Sequence, residues 1–253
     1  MENASKALIM AGSVLIALMI IGALLLMFNN LFNYQNTNVK NTREAQIVEF
    51  NNQYETYNRT DVRGSDICSL LNKAEDYNER KSSVGKEGAE IAYTPIEIEV
   101  KIDNYLLSAI ASPTYKGIVD SGNNLIKSTV SSYKVTGTTN EFKENVQKEI
   151  DTIESKYGGQ SIMTKLVTNI SKIYDATTDE AKIKAYKEAT GKTLSITQIN
   201  NNCKDICMYY EYIQFKRVYF DCKSDDTGKS GVEYDTNTGR IIKMTFVYNG
   251  KIE

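Results

Sequence analysis

The chain has 253 residues, a formal net charge of −2 and 25% charged residues. That length fits a membrane anchor plus one or two soluble domains, and the charge leaves no basic field for nucleic acid. Histidine is absent, which removes the usual general base, the commonest neutral metal ligand and the usual triad partner. No GxGxxG, P-loop, GxSxG or HExxH motif occurs. No catalytic residue, cofactor or metal ligand set is therefore expected, and the enzyme class ranks behind structural and interaction roles.

Residues 1–6 form an N-terminal flank. From Ala7 to Phe28 runs ALIMAGSVLIALMIIGALLLMF, with no charge. At about 1.5 Å per residue this run crosses a hydrocarbon core of about 30 Å. A cleaved signal peptide has an apolar core of only about 7–15 residues and a small-x-small cleavage site. The run is too long for that and leads into LLLMFNNLFNYQ, so an uncleaved transmembrane helix is preferred over a signal or a buried soluble helix. Lys6 and the amino terminus lie closer to the span than Lys40 and Arg43. By the positive-inside rule the N-terminus is expected in the cytoplasm and the C-terminal part outside the bacterial cell membrane. Small residues recur in the span: Ala7, Ala11, Gly12, Ser13, Ala17 and Gly22. Small-x-x-x-small spacing lets helix backbones approach in lipid, so these are candidate helix-packing positions. Small residues are also common at ordinary lipid-facing positions.

Residues 29–103 read as amphipathic helices and a first strand. Ile47, Phe50, Tyr54 and Tyr57 lie on one helical face. The membrane helix is expected to continue outward to about Asn58, with the Asn-rich residues near 36–41 as a place to bend or break. After a break at Asp61 to Gly64, Ser65 or Asp66 can cap a second helix with the stripe Ile67, Leu70, Leu71, Ala74 and Tyr77. Residues 82–90 read as a loop. In TPIEIEVKID, Ile96, Ile98, Val100 and Ile102 alternate with Glu97, Glu99 and Lys101. That is a half-buried strand, with Glu97 and Glu99 read as a solvated face.

Residues 104–200 read as an inserted helical segment. Leu106, Leu107 and Ile110 precede Pro113. Phe142, Val146, Ile150 and Ile153 mark a helix ending near Gly158. Ile162, Leu166, Ile170 and Ile173 mark the next. Thr178 to Glu180 opens a third, carrying Ile183 and Tyr186 and stopping near Gly191. Residues 201–253 read as antiparallel strands. MYYEYIQFKRVYFDCKS is dense in aromatic and β-branched residues. VEYDTNTGRIIKMTFVY reads as a hairpin with Gly239 at positive φ. Tyr209, Tyr210, Tyr212, Phe215, Tyr219 and Phe220 are expected to alternate across the sheet. The predicted fold class is α+β: a long N-terminal transmembrane and amphipathic helix on a small antiparallel sheet, with a helical insertion.

Four cysteines, Cys68, Cys203, Cys207 and Cys222, are disulfide candidates in an exported domain. Cys203 and Cys207 are not expected to pair with each other across a regular helix or strand, because their Cβ atoms would be too far apart. They are expected to reach Cys222 and Cys68. Free thiols are the second reading. Zinc is the third, since the spacing fits no regular finger or ribbon.

The N-terminal run Ala7–Phe28, its amphipathic continuation through Tyr57 and the C-terminal strands from Met208 to Tyr248 together resemble type IV pilin-like or pseudopilin-like proteins. The Asn-, Lys-, Ile- and Tyr-rich composition resembles that of a low-GC bacterium. The resemblance implies a structural subunit, held in the lipid bilayer or assembled with itself or protein partners through the apolar helix. In that family the leader ends in Gly before an aromatic residue or Met, with Glu five residues into the mature helix. Here Gly12 precedes Ser13, and Ala17 stands in the place of that Glu. The alternative is a cell-envelope scaffold or sensor domain that does not polymerise.

Overall fold

The structure is a computed structural model in which residues 2–83, 94–102, 132–224 and 229–253 are described. The chain divides into two compact units, Met1–Gln53 and Tyr54–Glu253.

The first unit is almost all of one helix, α1 (Glu2–Glu55). It is long and apolar enough to cross a membrane. The Asn-rich stretch does not break it. Thr37 and Thr42 donate their hydroxyls to the carbonyls of Asn33 and Asn38, both at 2.8 Å. Helical i−4 bonding therefore satisfies these polar side chains within the helix.

The second unit is α+β. Strand β1 (Val62–Arg63) leads into α2 (Gly64–Ser83), followed by β2 (Glu97–Lys101). Strands β3 (Ser132–Thr136) and β4 (Thr139–Asn140) form a tight hairpin. A π-helical turn at Lys143–Gln147 enters α3 (Lys148–Tyr157). Helices α4 (Gln160–Thr168), α5 (Ile170–Tyr174), α6 (Asp179–Thr190), α7 (Ile196–Asn201) and α8 (Cys203–Arg217) follow. Strands β5 (Val218–Cys222), β6 (Val232–Tyr234) and β7 (Ile241–Ile252) complete the sheet.

The sheet order is β1-β5-β7-β2-β3-β4, with β6 also on β7. It is mixed rather than antiparallel, because β2 pairs β7 in parallel. The long crossover between them, which contains α3 to α8, makes a parallel return possible. Strand 96–102 joins the sheet as expected, with Ile96, Ile98 and Val100 fully buried. Glu99 is not a solvated face. It lies between Lys134 at 3.2 Å and Lys243 at 3.4 Å on the two neighbouring strands. Partial burial opposes ionisation, but those lysines hold the carboxyl below its usual range.

The stripe Ile67, Leu70, Leu71 and Ala74 of α2 is fully buried, and α2 packs on both the sheet and α8. Gly64 permits this contact: a Cβ there would lie 1.8 Å from the Phe215 carbonyl oxygen. Asn78 on α2 is fully buried. Its side chain accepts from the Ile96 amide at 2.9 Å and donates to the Ile96 carbonyl at 2.9 Å and the Gly137 carbonyl at 2.6 Å. Glu75, also buried, accepts from Lys143 at 2.8 Å and Asn140 at 3.1 Å.

Two further sequence expectations are corrected. The aromatic run from Met208 to Arg217 is helical, and only Val218–Cys222 extends as a strand. Met208, Tyr209, Tyr212 and Phe215 are buried without any alternation across a sheet. Helix α8 is enclosed by α2, α3 and α4, so tertiary packing overrides the β-propensity of its aromatics. Residues 132–140 form strands within the segment read as helical. Tyr133 and Val135 alternate inward, but over too few residues to register as a period. The helices ending at Gly158 and Gly191 fall close to their expected places, whereas the stretch Ile162–Ile173, read as one helix, is divided into α4 and α5 at Asn169 and α7 was not foreseen. Thr178 accepts from the Ala181 amide at 3.2 Å to cap α6, and Gly158 and Gly191 end α3 and α6 at φ 95° and 74°. The 104–131 part of the insertion, including Leu106, Leu107 and Ile110, lies outside the described residues, as does most of the loop read at 82–90.

Candidate functional site

The most exposed apolar surface is the N-terminal half of α1. Leu8 is 79% exposed, Leu18 63% and Phe28 66%, and the large apolar residues between them are exposed too. A water-soluble surface rarely carries so long an uninterrupted apolar run. Of the predicted packing residues, Ala7, Ala11, Gly12, Ser13 and Ala17 are exposed and Gly22 is half-buried. At 3.6 residues per turn, Ala7, Ala11 and Gly22 fall within an arc of about 60°, while Ser13 and Ala17 lie on the far side. The helix thus presents two small-residue strips, not one. A Cβ at Gly12 or Gly22 meets nothing within 4 Å, and Ser13 donates its hydroxyl to the Met10 carbonyl at 2.9 Å. The serine is therefore satisfied within its own helix and can face lipid or another helix.

The predicted disulfides are not formed. All four cysteines are free thiols, and no pair is at bonding distance. Cys68 lies on α2 beside Lys216, at the C-terminal end of α8. Cys207 lies nine residues before Lys216, about 13 Å away along a helix axis. Cys222 ends β5 near Glu55 and Tyr234. Burial pushes the thiols of Cys68 and Cys222 up to about 12, so both are unreactive.

Cys203 and Cys207 are brought together by the helix that the sequence reading had made a strand. Their sulfurs are 3.9 Å apart on the first turns of α8. Around them stand three phenols. Tyr174 donates to the Ile199 carbonyl at 2.9 Å, Tyr157 donates to Asp205 at 3.1 Å, and Tyr186 accepts from Asn202 at 3.2 Å. Burial raises all three phenols, so they stay neutral. A hydrogen bond from Cys207 lowers the Cys203 thiol against the effect of burial, with help from Tyr174 and Lys182. The same bond and burial raise Cys207. Cys-x-x-x-Cys at helical spacing was the signal for this pair, and it was legible only once residues 203–217 were known to be helical.

Elsewhere the charged side chains form structural ties. Asp61, at φ 57°, accepts from Lys251 at 2.7 Å and Asn249 at 2.7 Å, and Asn249 also donates to Asp221 at 2.8 Å. Among the described residues no group of three or more Cys, Asp or Glu is placed to hold a metal ion. No protein-family model, curated protein or solved structure matches this chain.

Proposed function

We propose that this is a membrane-anchored, non-catalytic structural protein of the bacterial cell envelope, a pilin-like or pseudopilin-like subunit. Helix α1 holds it in the bilayer through residues 7–28 and associates with other copies through its small-residue strips. The domain that follows stands on the extracytoplasmic side, the placement that the nearer positive charge of Lys6 and the amino terminus favours. One observation carries the reading. A single unbroken helix, Glu2–Glu55, exposes its apolar half along its whole length and ends in a folded α+β unit. Without a membrane or neighbouring helices, that apolar surface would be left in water.

Shearing intact cells and probing the released surface fraction for a C-terminal tag tests the reading. A pilin-like subunit appears in the sheared fraction, and its tag is also lost when intact protoplasts are treated with protease. A tag removed by protease but never sheared off would replace the subunit with a non-polymerising envelope scaffold. A tag that survives until the membrane is broken would overturn the exported placement and the pilin-like reading with it.

A further inference from the structure

We propose that the part of α1 beyond the span pairs with the same part of a second copy of this chain, as a parallel two-stranded coiled coil. The pairing rests on the bilayer anchoring proposed above. Beyond Phe28 the helix continues through NNLFNYQNTNVKNT, residues 29–42, every one of them exposed. That stretch holds six Asn, two Thr and one Val, all weak helix formers. A lone helix of such residues is marginal in water, because most helical stability comes from packing one face. Large apolar side chains are exposed here at Leu31, Phe32, Tyr34 and Val39, and again at Val48. The described residues of the α+β unit expose large apolar side chains only at Tyr234 and Ile252.

Spacing divides the helix into two faces. Leu31, Tyr34, Asn38, Asn41, Ala45 and Val48 recur at intervals of three and four and are all exposed. At 3.6 residues per turn they fall within an arc of about 100°. Arg43, Ile47, Phe50 and Tyr54, which are half-buried or buried, lie on the opposite side. The open face is a heptad seam, with Leu31, Asn38 and Ala45 at a and Tyr34, Asn41 and Val48 at d. The same register runs back into the span through Leu24, Ala17 and Ser13. Its drift of about 20° per heptad is absorbed by a left-handed supercoil. Lys40, Arg43, Glu44 and Glu49 all lie off the seam.

A second copy is the occupant that fits. A shared bilayer sets both chains parallel and at one depth, so Asn38 and Asn41 of one copy meet the same residues of the other. An amide both donates and accepts, so Asn satisfies Asn across the seam. An apolar partner would leave those amides unsatisfied. A seam Asn fixes register at a cost in stability, and anchoring in one membrane offsets that cost by raising the effective concentration. In this register Glu44 of one copy stands beside Glu49 of the other, a like-charged pair that weakens the dimer.

The test is thiol cross-linking of the full chain in native membranes, with the unaltered chain giving the background from its own cysteines. On mild oxidation Asn38→Cys, Ala45→Cys and Val48→Cys should each yield a disulfide-linked dimer. Asn36→Cys and Gln46→Cys, off the seam, should yield only background. Adding Glu49→Lys to Ala45→Cys makes the flanking pair attractive and should raise the dimer yield, and adding Glu44→Lys as well should lower it again. Equal cross-linking on and off the seam, none above background at any position, or a yield that does not rise with Glu49→Lys overturns the pairing. Alkaline extraction of the same membranes separates the two failures. A chain retained in the membrane without seam cross-links keeps its anchor and loses the pairing, whereas a chain released by alkali has lost the anchor as well.

Discussion

Replacing Asn78 with alanine is expected to destabilise the folded domain by about 3 kcal/mol. The Asn78 side chain is fully buried and links α2 to both β2 and the β3–β4 turn. Asn78→Ala leaves the Ile96 amide and carbonyl, both 2.9 Å from the lost groups, without that partner in a residue with no exposure. A buried polar group left unsatisfied costs about 1–3 kcal/mol, and two at about 1.5 kcal/mol each give the total. The Gly137 carbonyl adds little, because its turn is partly open to water. For a domain of this size the loss corresponds to a drop of about 6–12 °C in Tm. Asn78→Asp keeps the acceptor but sets a carboxylate against two carbonyl oxygens. Its folded pKa is then raised, so its damage should be full at neutral pH and ease as the pH falls and the acid protonates. Urea unfolding of the full chain in detergent, followed by the near-UV signal of the tyrosines, reads both variants. A loss under about 1 kcal/mol with an unchanged m-value would refute the reasoning, because the Ile96 groups would then have found other partners.

Further tests use the surface ties and a backbone contact. Hydrogen bonds from Lys251 and Asn249 lower the Asp61 carboxyl. Its stabilising contribution is therefore full above the ordinary carboxylate range and is lost as pH falls through the depressed value. Asp61→Asn should make the acid limb of stability shallower without abolishing it, since Glu99, Asp221 and Asp235 are lowered too. Unfolding midpoints at pH 7 and pH 3 check this, and an equal gap between variant and wild type at both would contradict it. Gly64→Ala drives a Cβ into the backbone of Phe215 and should cost about 3 kcal/mol, at the upper end for overpacking. Gly12→Ala, whose Cβ meets nothing within 4 Å, should leave the unfolding midpoint of the domain unchanged.

Much of the architecture was legible where one physical signal dominated. The uncharged run from Ala7 to Phe28 needed only length and composition. The stripe of α2 and the alternation of Ile96, Ile98 and Val100 each carried a clear period, because one face of each is buried against a single layer. Gly158, Gly191 and Thr178 marked helix ends through local backbone chemistry. Helix α8 was not legible because it is buried on several sides. With Ile206, Cys207, Met208, Tyr209, Tyr212 and Phe215 all buried, no helical period survives, and the aromatics imitate a strand. The closeness of Cys203 and Cys207 was missed with it. A strand would separate Cys203 from Cys207, whereas one turn of helix stacks them. The parallel pairing of β2 with β7 was also out of reach, because registers between strands so distant in sequence are set by packing, not by local pattern.

Alkaline extraction of cell membranes tests the central claim most directly. Residues 7–28 carry twelve Leu, Ile, Val and Phe side chains, which favour insertion by about 4–7 kcal/mol in all. A lysine near the middle of the span costs about 2.5–3.5 kcal/mol, so Leu15→Lys with Leu18→Lys cancels that gain. The unaltered chain is expected to stay in the alkali-washed membrane pellet and the doubly substituted chain to be released. Release of the unaltered chain would contradict the membrane anchor on which the whole account rests.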